Sequence, residues 1–401
     1  MAALDEGTGY DRPLGTYDDR LTHVGPGTPT GELMRRYWHP VGLCSDASRT
    51  PKQVRVLGED LILFRDGAGQ PGLVHTRCCH RGSSLYYGKI EDQGIRCCYH
   101  GWLFDVQGRC LEQPCEPKGG LARENFRQPW YPLEERYGLI FAYMGPPDRK
   151  PALPRYECLE NLQGEEVVWA DDSSIGSGGP VIVDFNWLQH VENIVDPSHV
   201  PVLHVSHSGP QFAGIEEPVP DRISYARTPL GVKYFAVRAL PDRQKYIMEA
   251  EIVFPTLRVV PNPFFSPSDE QPLQGIDSLG WILPIDDTHF RIYTASRFPN
   301  AELAANIAKL FTSIAPRREA LGPEGRRDFP GDYEAQRSQG TITLHSEEHL
   351  VTSDRGVAMF RRLLREQIDL VAAGGNPIGV SFEASAEFIR LESARGIKPA
   401  D

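Results

Sequence analysis

Two constellations in the chain carry residue types suited to metal chemistry. The first pairs Cys78-Cys79-His80-Arg81-Gly82 with Cys97-Cys98-Tyr99-His100-Gly101-Trp102. Read as ligands, this is C-x-H followed by C-x-x-H, so each half is a tight loop holding one thiolate and one imidazole. Four such donors could close the tetrahedron of a structural zinc ion. They could also hold a [2Fe–2S] centre with two thiolates on one iron and two neutral imidazoles on the other, which raises the potential of the cluster. Zinc spacing groups Cys with Cys and His with His. Here each loop mixes the two, and that order favours iron–sulfur.

The second constellation lies in residues 186–204. Glu192, Asp196 and His199 fall at i, i+4 and i+7, which places them on one helical face. Pro201 should end or bend that helix, because its ring clashes with the carbonyl four residues back. The bend could bring His204 round to His199. Two imidazoles with a carboxylate from elsewhere would make the facial triad of non-haem iron(II). The bland alternative is a pair of surface or capping histidines, since most histidines bind no metal.

The elements that must position these groups follow from pattern. Residues 1–38 read as an irregular arm ending in a short helix over Glu32 to Trp38, capped by Thr30. Short alternating runs then predict an all-β domain over 39–150, with a hairpin around Gly58-Glu59-Asp60. A Pro-rich boundary at 145–154 opens a second domain over 151–401. There, strands are expected at 222–226, 232–240, 246–254, 280–284 and 290–297, and a helix over 302–314. A longer helix opens at Ser353-Asp354, carries Val357, Phe360, Leu364, Ile368 and Val371 on one side, and stops at Gly374-Gly375. The fold class is α+β.

The chain has 401 residues and a net charge of −12, which argues against nucleic acid as the main partner. No apolar run is long enough for a membrane span, and no signal peptide is visible at the start. Eight cysteines, four of them as adjacent pairs, fit metal or thiol chemistry in a reducing compartment better than a disulfide framework, so the expected location is the cytoplasm.

Cys78-x-His80-Arg81-Gly82 followed by Cys97-x-Tyr99-His100-Gly101-Trp102-x-Phe104-Asp105 resembles the Rieske domain of the Rieske non-haem iron oxygenases. Asn186-Trp-Leu-Gln-x-x-Glu192-x-x-x-Asp196-x-Ser-His199-x-x-x-x-His204 resembles the mononuclear-iron helix of their phthalate dioxygenase-like branch. Glu348-His-Leu-x-x-Ser-Asp354 and the helix after it, with Met359, Arg361 and Arg362, resemble a late segment of that branch. Together the matches span most of the chain.

The resemblance implies a [2Fe–2S] cluster on Cys78, His80, Cys97 and His100, and a mononuclear Fe(II) on His199, His204 and Asp354. Cys79 and Cys98 stand where the family usually has Pro, and are expected as small buried hydrophobes, with a swap of either into the ligand set left open. Glu192 would lie near the iron. Asp196 would link an iron histidine to His100 of the partner subunit, which implies a homotrimer, with stacking into a hexamer left open. The catalytic domain would be a helix-grip, an antiparallel sheet wrapped on a long helix. Electrons would come from NAD(P)H through a reductase or ferredoxin. The substrate would be an aromatic carboxylate, including two-ring or methoxylated acids, taken to ring hydroxylation, dihydroxylation or O-demethylation. Arg238, Arg258 and Arg297 are candidates to hold its carboxylate in bidentate fashion.

Two other functions compete. His345-Ser-Glu-Glu348-His349 fits the H-x-x-E-H zinc-peptidase pattern, which needs a helix. A pure electron carrier would use the first constellation alone, and leaves a second domain's worth of chain unexplained.

Overall fold

Short runs of β-branched and aromatic residues between turns fold the first part of the chain into three antiparallel sheets. One is Trp38–Leu43, Leu139–Tyr143 and Leu133–Arg136 in that order. A second is Lys52–Val56, Glu59–Arg65, Pro71–His75 and Trp130–Tyr131. The third is Lys89–Glu91, Gly94–Arg96, Leu103–Phe104 and Cys110–Glu112. The expected hairpin is tighter than the sequence suggested. Val56 pairs with Glu59, and the two turn residues Leu57 and Gly58 have φ of 48° and 80°. Positive φ at both positions matches the right-handed twist of the flanking strands. The computed structural model describes residues 12–172, 179–208, 219–240, 243–261, 273–383 and 387–399.

Ahead of these sheets come α1 (Asp19–Thr22) and α2 (Pro29–Met34). The cap of α2 is Thr28, whose hydroxyl accepts from Gly31 N, and not Thr30. Thr30 instead donates to Arg20 O, so its hydroxyl is already committed. Pro29 at the first helical position, where no N–H partner is needed, sets the earlier start.

The remainder is built on a large antiparallel sheet. Its order is Val167–Asp171, His289–Phe298, Ser278–Asp286, Leu257–Val259, Gln244–Val253, Gly231–Leu240 and Arg222–Arg227. Helix α3 (Trp187–Ile194) packs on it, and the single turn α4 (His199–Pro201) follows α3. After the strands come α5 (Ala301–Ala320), α6 (Gly322–Asp328), α7 (Asp332–Arg337) and the long α8 (Arg355–Ala372). Val357, Phe360, Leu364 and Ile368 of α8 are buried, on the face expected from their spacing, and α8 packs on the Gly231–Leu240 strand. The architecture is α+β, a β-rich N-terminal part followed by a sheet gripping a helix.

One apolar core runs from Leu21 and Trp38 through Leu139 and Trp187 to Phe254, Trp281 and Phe360, so it is continuous across residue 150. A smaller core collects Phe64, Val74, Ile95 and Phe104 with Cys78, Cys97 and Trp102. Among the described residues no helix is long and apolar enough to cross a membrane.

Candidate metal centres

Two loops of matching geometry present the first donor set. In one, Cys78 N donates to Ser83 O and Gly82 N to Cys78 O. In the other, Cys97 N donates to Trp102 O and Gly101 N to Cys97 O. Gly82 and Gly101 have φ of 78° and 73°, a conformation that glycine adopts without strain. The loops bury both Cys78 and Cys97, each 3% exposed. They bring the His80 and His100 rings to a centroid distance of 4.6 Å, and His80 stacks on Trp102 at 4.5 Å. Two thiols inside and two imidazoles further out suit a two-iron cluster with one iron on each pair. Burial pushes the Cys97 thiol above its ordinary value; Cys78 is raised by its hydrogen bond to Cys79 and by burial. A cation would reverse both shifts.

Cys79 and Cys98 are exposed, which corrects the expectation that they are buried hydrophobes. The cause is visible for Cys79. Its N–H donates to Oε1 of Gln128 while the Gln128 amide donates to His75 O and Arg77 O, and this clamp turns the side chain away from the core.

The second set is built on α3. Asn186 caps it by accepting from Leu188 N, and its amide donates to Thr22 O and Asp287 O, tying the helix to the N-terminal arm and the sheet. The helix ends at Ile194, before His199. The expected continuous face through Glu192, Asp196 and His199 is therefore broken. Beyond Pro201 the chain does not stop but widens into a π-helical turn, Val202–His207. A wide turn at a functional site is a recurrent device. Here it swings the buried His204 ring to 5.4 Å from that of His199.

The carboxylate that meets these rings is Asp332, the first residue of α7. Its Oδ1 lies 3.5 Å from His199 Nε2 and 3.2 Å from His204 Nε2. The side-chain amide of Asn193 sits 3.3 Å from both His199 Nε2 and Asp332 Oδ1. His199 Nδ1 lies 2.5 Å from Asp196 O and 3.7 Å from the Asp196 carboxylate. That contact places the ring proton on Nδ1 and leaves Nε2 for a metal. Burial works against the imidazolium of His199, yet the Asp196 and Asp332 carboxylates outweigh it and hold its pKa above the ordinary value. For Asp196 burial raises and His199 lowers, and the net direction is down. Two imidazoles and one carboxylate, converging from three elements, fit a non-haem iron(II) ion.

Two expectations are corrected by this geometry. Asp354 is not the third donor: it stands at the start of α8, and its Oδ2 accepts from Val351 N at 2.7 Å. A carboxylate there closes the turn before the helix and lies at its positive end, where a negative side chain is favoured. Glu192 is not near the metal donors either. One residue along a helix turns by about 100°, so Glu192 faces away while Asn193 faces in. Glu192 accepts from Arg361 Nε at 2.5 Å and Nη2 at 2.7 Å, and Arg361 also grips Glu348. Burial, incompletely offset by Arg361, holds the Glu192 carboxyl above its usual range. The zinc-peptidase pattern fails on the same segment. His345 to Glu347 form a single 3₁₀ turn rather than a helix, His345 Nδ1 accepts from Asp18 N, and Glu348 is held by Arg361.

The three candidate arginines part company. Arg297 pairs with Glu166 at the sheet surface. Arg238 is buried with its guanidinium over the Tyr246 ring. Arg258, half-buried, lies within electrostatic reach of Asp332. Burial lowers its pKa and the Asp332 charge raises it, while its own charge acts on His190. No carboxylate among the described residues lies within ion-pair distance of it. Its side chain crosses the neighbouring strand at Gly280, where a Cβ would come within 2.9 Å of Nε.

Residues 37–132 match the family of Rieske [2Fe–2S] domains. The whole chain is 46% identical, over 403 residues and 96% of the relative's length, to the phenoxybenzoate dioxygenase subunit alpha of Ectopseudomonas oleovorans. The chain therefore belongs to the Rieske non-haem iron oxygenases, as an oxygenase component of the phthalate dioxygenase-like branch carrying a Rieske cluster and a mononuclear iron. A second relative is the phthalate 4,5-dioxygenase oxygenase subunit of Pseudomonas putida, 29% identical over 91% of this chain and 88% of that one. In fold the chain is similar to NdmA of Pseudomonas putida CBB5, with a TM-score of 0.61 at 18% identity over 90% of this chain and all of the other.

Proposed function

We propose that this oxygenase component acts on an aromatic carboxylate, with a two-ring aryloxybenzoate as the leading substrate. The observation that carries the reading is Arg258, a half-buried guanidinium within electrostatic reach of Asp332 and His190, with no carboxylate in ion-pair contact among the described residues. A half-buried arginine within the field of a metal-donor carboxylate, and without an acid in ion-pair contact, is suited to receive one from the ligand in bidentate form. The name of the relative at 46% identity supports the two-ring choice.

The Rieske cluster supplies electrons singly, and the ferrous ion supplies the centre at which dioxygen is activated. Cys78, His80, Cys97 and His100 would hold the first; His199, His204 and Asp332 the second. Asp196 O fixes the His199 tautomer, and Asn193 hydrogen-bonds Asp332. Arg258 orients the substrate by its acid group, leaving the far ring for reaction. Addition of both oxygen atoms across a ring double bond needs two electrons and two protons; the electrons come from NAD(P)H through a separate reductase or ferredoxin, and the protons from NAD(P)H and the solvent.

In this reading the subunits form a homotrimer in which Asp196 faces His100 of the partner subunit. Support comes from the Asp196 carboxylate, which is partly exposed, and from Tyr99 and Phe126, which are large, exposed and beside the cluster histidine His100 and Trp102. Apolar surface of that kind marks an interface.

The test is oxygen uptake with NADH, a reductase and phenoxybenzoate, compared with the neutral phenoxybenzamide. The wild type should prefer the acid, and Arg258→Met should raise KM for the acid at least about 100-fold, the cost of losing a charge-assisted pair, with little change for the amide. Equal KM values in wild type and variant would overturn the reading.

A further inference from the structure

The third iron donor stands on a weak support. Asp332 opens α7, a helix of six residues, and only Asp332 and Gln336 in it are buried. So short a helix has no apolar stripe of its own to fix its place. Tyr333 packs near Phe185 and, with Arg337, ties one side of the helix to Asp184; its buried face is held by a set of polar contacts to α3. Asn193 Nδ2 donates to Asp332 Oδ1 at 3.3 Å. One turn back on α3 and one turn on along α7, His190 Nδ1 meets Gln336 Oε1 at 3.0 Å. His190 and Asn193 are three apart on α3, and Asp332 and Gln336 four apart on α7, so the two contacts are successive rungs between the same two faces. Gln189 Nε2 adds a donor to Gln336 O at 2.9 Å.

The His190–Gln336 rung lies deeper than the other. His190 is 4% exposed and Gln336 2%. The imidazole is held from the other side by Phe290, its ring nearly parallel at 19° and 5.3 Å away. Neither His190 nor Gln336 takes part in binding the metal, and nothing in the family reading requires them.

We propose that His190 and Gln336 are positioning residues for Asp332. Their hydrogen bond sets the register of α7 on α3, and that register sets the reach from Asp332 Oδ1 to the two imidazoles. His190 Nδ1 donates and Gln336 Oε1 accepts. The inference rests on iron being held by His199, His204 and Asp332. Removing a partner outside the ligand shell of this kind costs about 10- to 100-fold in metal affinity.

The experiment is Fe(II) titration, with a competing chelator, of full-length protein that retains its Rieske cluster, whose visible spectrum reports folding. His190→Phe keeps the stack on Phe290 and removes the donor; it should weaken Fe(II) binding about 10-fold or more. His190→Asn keeps a donor at the same place and should stay within about 3-fold of wild type. Gln336→Leu reads the same bond from the other side, should a variant at 190 not fold. The double variant His190→Phe/Gln336→Leu should be no worse than either single one, as expected of partners in one contact. Wild-type affinity in His190→Phe and Gln336→Leu would overturn the proposal. So would equal losses in the Phe and Asn variants, or a change confined to substrate KM. Failure of the iron assignment itself would look different: wild-type protein with a full Rieske spectrum would then take up no further Fe(II).

Discussion

His39 shows how a single buried ring makes stability depend on pH. It is wrapped by protein, its Nε2 donates to Met34 O at 2.8 Å, and burial followed by the nearby Arg35 charge pushes its pKa down to about 4 despite that hydrogen bond. In the unfolded chain the ring titrates near its ordinary value of 6.5. The unfolded state thus binds more protons between these values, so stability rises with pH across that window. The contribution is complete above pH about 6.5, falls as the pH drops towards 4, and amounts to roughly 3 kcal/mol. Urea midpoints measured from pH about 7.5 to about 4.5 should decline, and His39→Gln, which keeps a donor near Nε2, should flatten the decline. An unchanged slope in the variant would assign the effect elsewhere.

Residue scale is also where the sequence was least equal to the site. The Rieske loops and the two iron histidines are legible because each lies within a short stretch whose spacing is set by one turn or one helix. Asp332 is not, because it reaches the histidines only through the packing of α7 on α3, and locally Gly331-Asp332 resembles any acidic helix start. Asp354 offers the same local signal, and the Glu348-His-Leu-x-x-Ser-Asp354 motif around it points to it instead. The signal that could have found Asp332 is the Asp332–Gln336 spacing, two polar residues one turn apart on one face of a short helix. Cys79 and Cys98 were misjudged because a thiol in a loop has no pattern that declares its side.

At the scale of elements, α3 and α8 are joined by a buried ion cluster. Arg361 is 8% exposed at its side chain, Glu192 13% and Glu348 19%. Glu348 belongs to the segment that the N-terminal arm straps down through Thr16, Asp18 and Arg12. A cluster like this adds little over a well-packed apolar one, but breaking it leaves two buried carboxylates unopposed. Arg361→Met should therefore lower stability by about 3–5 kcal/mol, read as a lower urea midpoint at unchanged slope. The triple change Glu192→Gln/Glu348→Gln/Arg361→Met should recover most of it. A single variant of wild-type stability would contradict the cluster's role. The apolar side of α8 was readable from its period. Its link to α3 was not, since one charge at 361 meets partners 169 and 13 residues away.

At the scale of the molecule, the chain sets a relay centre and a dioxygen centre into one continuous structure. The N-terminal arm, the first sheet and the large sheet share one apolar core, and the second sheet joins the Rieske loops to it: Leu61, Leu63 and Leu73 face that core, while Ile62, Phe64 and Val74 face the smaller core holding Cys78 and Cys97. The division at residue 150 is visible in the sequence as a run of Pro and Gly, yet the packing passes straight through it. Pattern shows where strands stop, and only the fold shows which faces meet.

The central claim is that His199, His204 and Asp332 hold an iron separate from the Rieske cluster. Iron and acid-labile sulfide should be measured on anaerobically purified wild type, Asp332→Ala and Asp354→Ala. The account predicts about three iron atoms and about two sulfides per chain in the wild type. Asp332→Ala should keep the sulfide and the red-brown Rieske spectrum and lose about one iron, while Asp354→Ala keeps all of it. Loss of that iron in Asp354→Ala with retention in Asp332→Ala would contradict the assignment.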